Sequence, residues 1–137
     1  MGIKIARSSK RIFLSQRKYA LEILNDTGFL GAKPTDFPMV QNLKLDPDDG
    51  DILEDPSLFR ILMGRFLYLT ITRPDLMYSV KKLSQFVSNP RKPYLVAAYR
   101  ILAFLKSSPS KGILLSYNSC FQIEAYCDLE WGGCLTT

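Results

Sequence analysis

The sequence predicts an α+β fold in which a three-helix bundle is flanked by a β-hairpin at each end. Apolar residues recur with the helical period between residues 56 and 106, and the period changes to two near both ends of the chain. The 137 residues, 47% of them hydrophobic and 23% charged, have the size and composition of one globular domain. We therefore expect a packed core.

The N-terminal elements are a hairpin and a helix. Residues 2–14 alternate between apolar and polar side chains around a polar turn at residues 7–11, which predicts two antiparallel strands. Ser15 is predicted to cap a helix that ends before Gly28, a residue that tolerates the left-handed conformation. The apolar positions on one face of this helix are Tyr19, Ala20, Ile23 and Leu24.

A long loop is predicted at residues 32–55, which contain four prolines or glycines and the acidic run DPDDGD. A loop of this length in a small domain is functional, draped over the surface or mobile.

Three helices are predicted next, each with a proline at its start. Asp55-Pro56 begins a helix that runs to about Thr70, Arg73-Pro74-Asp75 begins one that reaches Val87, and Pro93 begins one that reaches Lys106. The third helix is apolar almost all round, which predicts a central place in the bundle. Beyond it, residues 113–117 and 121–127 are predicted to form a second hairpin around Asn118-Ser119.

The charges are arranged in blocks. Residues 1–20 carry six basic and no acidic groups, and residues 21–60 carry three basic against nine acidic groups. Residues 61–111 carry nine basic groups and one acidic group, and the remainder carries three acidic groups only. Two basic blocks suit a surface that binds a polyanion. The alternative is that lysines and arginines form the solvated faces of helices.

Composition excludes several classes of protein. The sequence has no histidine, which excludes Ser-His, Cys-His and histidine-rich metal sites. Its three cysteines, Cys120, Cys127 and Cys134, lack the spacing of a metal site and are expected to be free thiols. No apolar run is long enough for a membrane span, so we expect no membrane partner. The N-terminus has no signal-peptide pattern, so we expect an intracellular location.

Two segments are candidates for function. Gly64 and Arg65 interrupt an apolar helix, and a glycine there indicates close approach by a ligand or, more commonly, by another helix. Asp128 and Glu130 lie two residues apart on the last predicted strand, where they share a face. Such a pair can bind Mg²⁺, although a solvent-facing acidic edge is the commoner arrangement.

A succession of motifs resembles the Pol polyprotein of copia-type long-terminal-repeat retrotransposons. In order along the chain they are LSQRKYALEIL, TGFLGAKPTDFPM, DPSLFRILMGRFLYLTITRPDLMYSV, SQFVSNP, AYRILAFLK, KGILL and AYCDLEWGG. The resemblance covers essentially the whole chain. It implies a fragment of a larger polymerase that begins after the reverse transcriptase active site and ends in the first strand of RNase H.

The resemblance implies four regions. Residues 1–15 are similar to the end of the palm with its primer-grip hairpin, and residues 16–55 are a helix and an acidic linker. Residues 56–108 resemble the thumb and connection helices, and residues 109–137 the opening hairpin of a truncated RNase H domain.

Particular residues receive expected roles from the same resemblance. The thumb-like helix would bring Gly64 close to a sugar-phosphate backbone and make Arg65 a phosphate contact. Asp128 matches the first metal-binding carboxylate of RNase H, whereas Glu130 and Leu129 depart from the family's usual residues. With the neighbouring cations, the expected nucleic-acid-binding set is Gly64, Arg65, Arg73, Lys81 and Lys82.

Both active sites are incomplete in this sequence. It contains no YxDD motif, its only Asp-Asp pair lies in the acidic loop, and few residues follow Asp128. We expect a catalytically inert remnant of a retrotransposon reverse transcriptase, with no cofactor or small-molecule substrate of its own. The intact family uses Mg²⁺ and an RNA/DNA primer-template. The alternative is a module that binds nucleic acid through basic helices without reading its sequence.

Overall fold

The computed structural model describes residues 2–41 and 43–116. This part of the chain contains three strands, β1 (Lys4–Arg7), β2 (Arg11–Ser15) and β3 (Gly112–Ser116). Its α-helices are α1 (Arg17–Asp26), α2 (Ser57–Leu69), α3 (Met77–Ser84) and α4 (Lys92–Ser107), and a 3₁₀ turn at Pro74–Leu76 precedes α3. The predicted α+β class is confirmed.

The strands form one antiparallel sheet in the order β1-β2-β3. Lys4 of β1 is opposite Ser15 of β2, and Ser15 is opposite Gly112 of β3. The N-terminal hairpin is as predicted, but β3 pairs with β2, so its described partner is not the one expected from sequence. The expected partner at residues 121–127 lies outside the described residues. A period of two identifies a strand but does not identify its neighbour.

Gly112 fits the β2–β3 pairing because it has no side chain. A Cβ added there would stand 2.0 Å from the carbonyl oxygen of Leu14, well inside contact distance. The close approach of the two backbones therefore requires glycine at this position.

The helical bundle has four helices where the sequence predicted three. Tyr19, Ala20, Ile23 and Leu24 of α1 are buried in the same core as α2, α3 and α4. The predicted cap was one residue early, because Ser15 is the buried last residue of β2 and Gln16 precedes the helix. Gly28 has φ +77°, which confirms the predicted end of α1.

The other helices follow their predicted starts closely. Asp55 Oδ1 accepts a hydrogen bond from the Ser57 amide at 3.0 Å, and Pro56 immediately precedes α2. The helix predicted from Arg73 to Val87 is shorter in the structure. It begins as the 3₁₀ turn at Pro74–Leu76 and continues as α3, which ends at Ser84. Helix α4 is the most buried, as its all-round apolar sequence predicted. Its buried side chains are Tyr94, Ala97, Ala98, Ile101, Leu102, Ala103, Phe104 and Leu105.

The strap, which we define as residues 32–55, is draped over this core. The Thr35 amide donates to the Ala103 carbonyl at 3.3 Å, and the Leu53 amide donates to the Pro90 carbonyl at 3.2 Å. The Tyr94 hydroxyl also donates to the Asp46 carbonyl. Partly buried apolar side chains anchor the strap on the core at Met39, Leu43, Leu45 and Leu53. Of the three possibilities for this loop, the structure supports the draped one.

None of the helices in the described ranges has both the length and the apolar character that a membrane crossing requires.

Candidate nucleic-acid interface

Arg73 is a structural residue in this fold, although the sequence placed it in the nucleic-acid-binding set. Its side chain is only 2% exposed. Its guanidinium donates to both oxygens of Asp75 at 3.1 and 3.0 Å, and to the Ser108 carbonyl at 2.7 Å. It also lies 5.8 Å from the centre of the Phe104 ring. A guanidinium held in this way joins the start of α3 to the end of α4 and is withdrawn from phosphate.

Asp75 is the acidic partner of two cations. Burial raises the pKa of Asp75, but the hydrogen bonds and charges of Arg73 and Lys111 outweigh burial and hold it below its ordinary value. The Lys111 ammonium lies 3.4 Å from Asp75 Oδ2. The carboxylate is therefore ionised at neutral pH and contributes stability in that form.

This lowered pKa predicts an acid-sensitive fold. Because the folded pKa of Asp75 is below the unfolded value of about 3.9, its contribution is complete above that value and is lost as pH falls through the folded pKa. Urea unfolding between pH 7 and pH 2 should show this loss. In Asp75→Asn the free energy of unfolding should be lower at pH 7 and should fall less steeply below pH 4. Parallel curves for the two proteins would contradict the assignment.

Arg65 lies on α2 and forms an exposed ion pair with α1. Its Nη2 is 2.9 Å from Asp26 Oδ2, with the two side chains 32% and 52% exposed. Ion pairs of this exposure contribute little stability and exchange readily with solvent ions. Arg65 therefore has a protein partner, Asp26, but its guanidinium stays accessible from solvent.

Gly64, beside it, is exposed on α2, and a Cβ added there would meet nothing within 4 Å. Helix packing within the described residues does not explain the glycine. An external group could approach the α2 backbone at this point.

The two lysines of α3 differ from each other. Lys81 is exposed and forms no ion pair with another described residue. Lys82 is half-buried, and its ammonium donates to the Leu43 carbonyl of the strap at 2.5 Å. It also lies 5.8 Å from the centre of the Tyr78 ring. The structure thus leaves Lys81 accessible and gives Lys82 a role in holding the strap.

Several other cations are bound to backbone carbonyls, which sequence reasoning did not foresee. Arg91 donates to the Pro47 and Gly50 carbonyls of the strap at 2.7 and 2.8 Å, and Lys106 donates to the Leu30 carbonyl. Arg60 donates to the Val87 carbonyl at 2.8 Å, just beyond α3. The carbonyl partner of a lysine or arginine cannot be predicted from the sequence. Which carbonyl lies near the cation depends on how the backbone folds in three dimensions.

Four of the ten described carboxylates form ion pairs with cations, and one of these joins Asp48 to Arg91 at 3.8 Å. Asp26 pairs with Arg65, Asp75 with Arg73, and Asp51 with Lys92 at 3.6 Å. Within residues 2–41 and 43–116, no three acidic or cysteine side chains converge into a group that could hold a metal ion. Asp128 and Glu130, the predicted metal-binding position and its neighbour, lie outside the described residues.

Comparison with known sequences assigns the chain to a family. It is 39% identical over 133 residues to the retrovirus-related Pol polyprotein from transposon RE1 of Arabidopsis thaliana, a match covering 97% of this chain and 9% of that protein. It is 38% identical, with the same coverage, to the corresponding polyprotein from transposon RE2 of that plant. The chain belongs to the copia-type retrotransposon Pol family. The resemblance expected from the motifs is thereby confirmed.

This Pol sequence is also similar to a shorter protein. It is 36% identical over all 137 residues to an uncharacterized mitochondrial protein of Arabidopsis thaliana, and it covers 57% of that protein. The chain thus spans about a tenth of the two polyproteins and just over half of this relative. No family model and no solved structure matches it.

Proposed function

We propose that this Pol segment is a non-catalytic part of a reverse transcriptase, a remnant that lies after the polymerase active site and leads into RNase H. The pairing of Asp26, Asp51 and Asp75 with cations supports this proposal most directly. Two-metal phosphoryl transfer requires carboxylates that converge on one point and share metal ions. Here Asp75 binds the buried Arg73 between α3 and α4, whereas Asp26 and Asp51 form exposed ion pairs, and no three acidic groups of the described residues converge.

The proposal predicts that the purified chain extends no primer and degrades no RNA–DNA hybrid in Mg²⁺ or Mn²⁺. Labelled primer-template and labelled hybrid are incubated with the chain, beside a blank carried through the same purification from cells lacking it. Product at the level of the blank is expected. Product that co-purifies with the chain through a second, different column would overturn the proposal.

A second candidate function is binding of nucleic acid through phosphates, without sequence readout. The observation that favours it is the accessible pair of Gly64 and Arg65 on α2, together with the exposed Lys81 on α3. A phosphate oxygen could replace the Asp26 carboxylate on Arg65, and the bare Gly64 would let the backbone of the ligand approach. In the intact family the ligand would be the RNA/DNA primer-template with its Mg²⁺.

Replacing Arg65 with alanine should therefore weaken binding to all duplex sequences about equally. The slope of log affinity against log salt should fall by about one, because one phosphate contact is lost. Fluorescence anisotropy with two unrelated duplexes at several salt concentrations measures both quantities.

Asp26→Asn is the matched control for this experiment. It removes the carboxylate that competes with phosphate for Arg65 but leaves the guanidinium in place, so affinity should rise. If Arg65→Ala and Asp26→Asn both leave affinity unchanged, α2 is not the binding surface. If wild type shows no affinity at low salt, only the structural function stands.

A further inference from the structure

The outer edge of β1 is open to another strand. β1 stands first in the order β1-β2-β3, and no strand in residues 2–41 and 43–116 pairs with its outer side. All four of its residues are exposed, with Ile5 at 53%. Unpaired backbone N–H and C=O groups on an exposed edge are a template for strand addition.

The hairpin turn determines which backbone groups of β1 face outward. The Ser8 amide donates to the Arg11 carbonyl at 2.9 Å, so the backbone of Ser8 faces β2. Because the direction alternates along an antiparallel strand, Lys4 and Ala6 also face β2. The N–H and C=O groups of Ile5 and Arg7 therefore face outward, giving two donors and two acceptors in alternation.

The side chains around this edge select for negative charge. Residues 1–20 contain no acidic group. The cations at and beside the edge are exposed and form no ion pair with another described residue; they are Lys4, Arg7, Lys10 and Arg11. A second copy of β1 would place lysine and arginine near the same residues, and like charges on paired strands repel.

An anionic peptide fits this edge better than a phosphate backbone does. Phosphate oxygens could accept hydrogen bonds from the outward N–H groups of Ile5 and Arg7. The outward C=O groups of the same residues need donors, however, and an ionised phosphate has none. A peptide strand supplies donors and acceptors in the same alternation as β1. The partner chemistry that satisfies both the backbone and the charges is an extended acidic peptide.

We propose that the outer edge of β1 binds an acidic, extended segment of another protein, which adds to the sheet as a fourth strand. In antiparallel pairing the residues opposite Arg7 and Lys4 are acidic and the residue opposite Ile5 is apolar. The partner pattern is acidic, any residue, apolar, acidic. Its apolar residue continues the row that the register places across the sheet, Ile5, Leu14 and Ile113.

The test uses the full chain and a synthetic peptide that contains Glu-Thr-Ile-Glu, with a scrambled peptide of the same composition beside it. Amide chemical shifts in NMR titrations should change most at residues 4–8, and the scrambled peptide should bind at least about fivefold more weakly. Ile5→Pro removes one outward donor at an edge position that tolerates proline, so it should weaken peptide binding about fivefold or more. Ile5→Val keeps the donor and should bind within about twofold of wild type.

Charge reversal provides a variant that does not depend on the proline. Arg7→Glu should abolish binding of the acidic peptide and favour a peptide with lysines in place of its glutamates. Equal binding of the scrambled peptide, or unchanged binding by Ile5→Pro with the β2 and β3 shifts intact, would overturn strand addition. Duplex DNA binding that Ile5→Pro weakens as much as peptide binding would show that the edge is not selective for a peptide.

Discussion

Replacing Arg73 with alanine is expected to destabilise the fold by about 3–5 kcal/mol. The substitution removes a buried guanidinium that makes two bonds to Asp75 and one to the Ser108 carbonyl, and it leaves the carboxylate without its main partner. Chemical denaturation of wild type and variant at pH 7 measures the difference. A loss below about 1 kcal/mol would show that the guanidinium is not needed between α3 and α4.

Two further variants measure how much of this stability depends on the contact between Arg73 and Asp75. Arg73→Lys keeps the charge but loses the two-pronged contact with Asp75, so an intermediate loss is expected. Asp75→Asn in the Arg73→Ala background should cost less than it does in wild type, because the carboxylate no longer has its partner. Additive losses would contradict the coupling of the two residues.

Replacing Ile23 with alanine is expected to cost about 2–5 kcal/mol. Ile23 lies on α1 and is fully buried in the cluster formed by all four helices. The large effect is expected only if α1 belongs to the bundle. Lys18→Ala is the matched control, because Lys18 is exposed on the same helix and its truncation should change stability by less than about 0.5 kcal/mol. Equal, small effects of both substitutions would place α1 outside the core.

The helices could be predicted from sequence because their signals are local. Asp55-Pro56 and Pro93 mark helix starts through proline geometry, and the apolar period between them identifies the buried faces. The left-handed Gly28 was predictable for the same reason. The way in which these elements pack together was harder to predict. The membership of α1 in the core and the pairing of β3 with β2 depend on contacts between distant residues, and no local pattern specifies them.

The accessibility of the predicted binding residues likewise depends on contacts between distant residues. The resemblance to Pol and the neighbouring charges suggested Arg65, Arg73, Lys81 and Lys82 as one set, but the fold separates them by burial. Arg73 becomes buried because Asp75 and the Ser108 carbonyl converge on it, and Lys82 is drawn to the Leu43 carbonyl. Only the three-dimensional path of the strap and the end of α4 supply those partners. Arg65 and Lys81 keep their accessibility, and their contact with phosphate stays a prediction.

The central proposal is that residues 2–116 hold no catalytic metal ion, and paramagnetic NMR tests it most directly. Mn²⁺ is titrated to equimolar concentration into the labelled chain, and the broadening of each amide signal from residues 2–116 is followed. Because no three acidic groups of the described residues converge, we expect only weak, non-saturating broadening that salt removes. Saturable broadening at equimolar Mn²⁺, centred on two or more carboxylates such as Asp48 and Asp51, would contradict the claim and reveal a metal site.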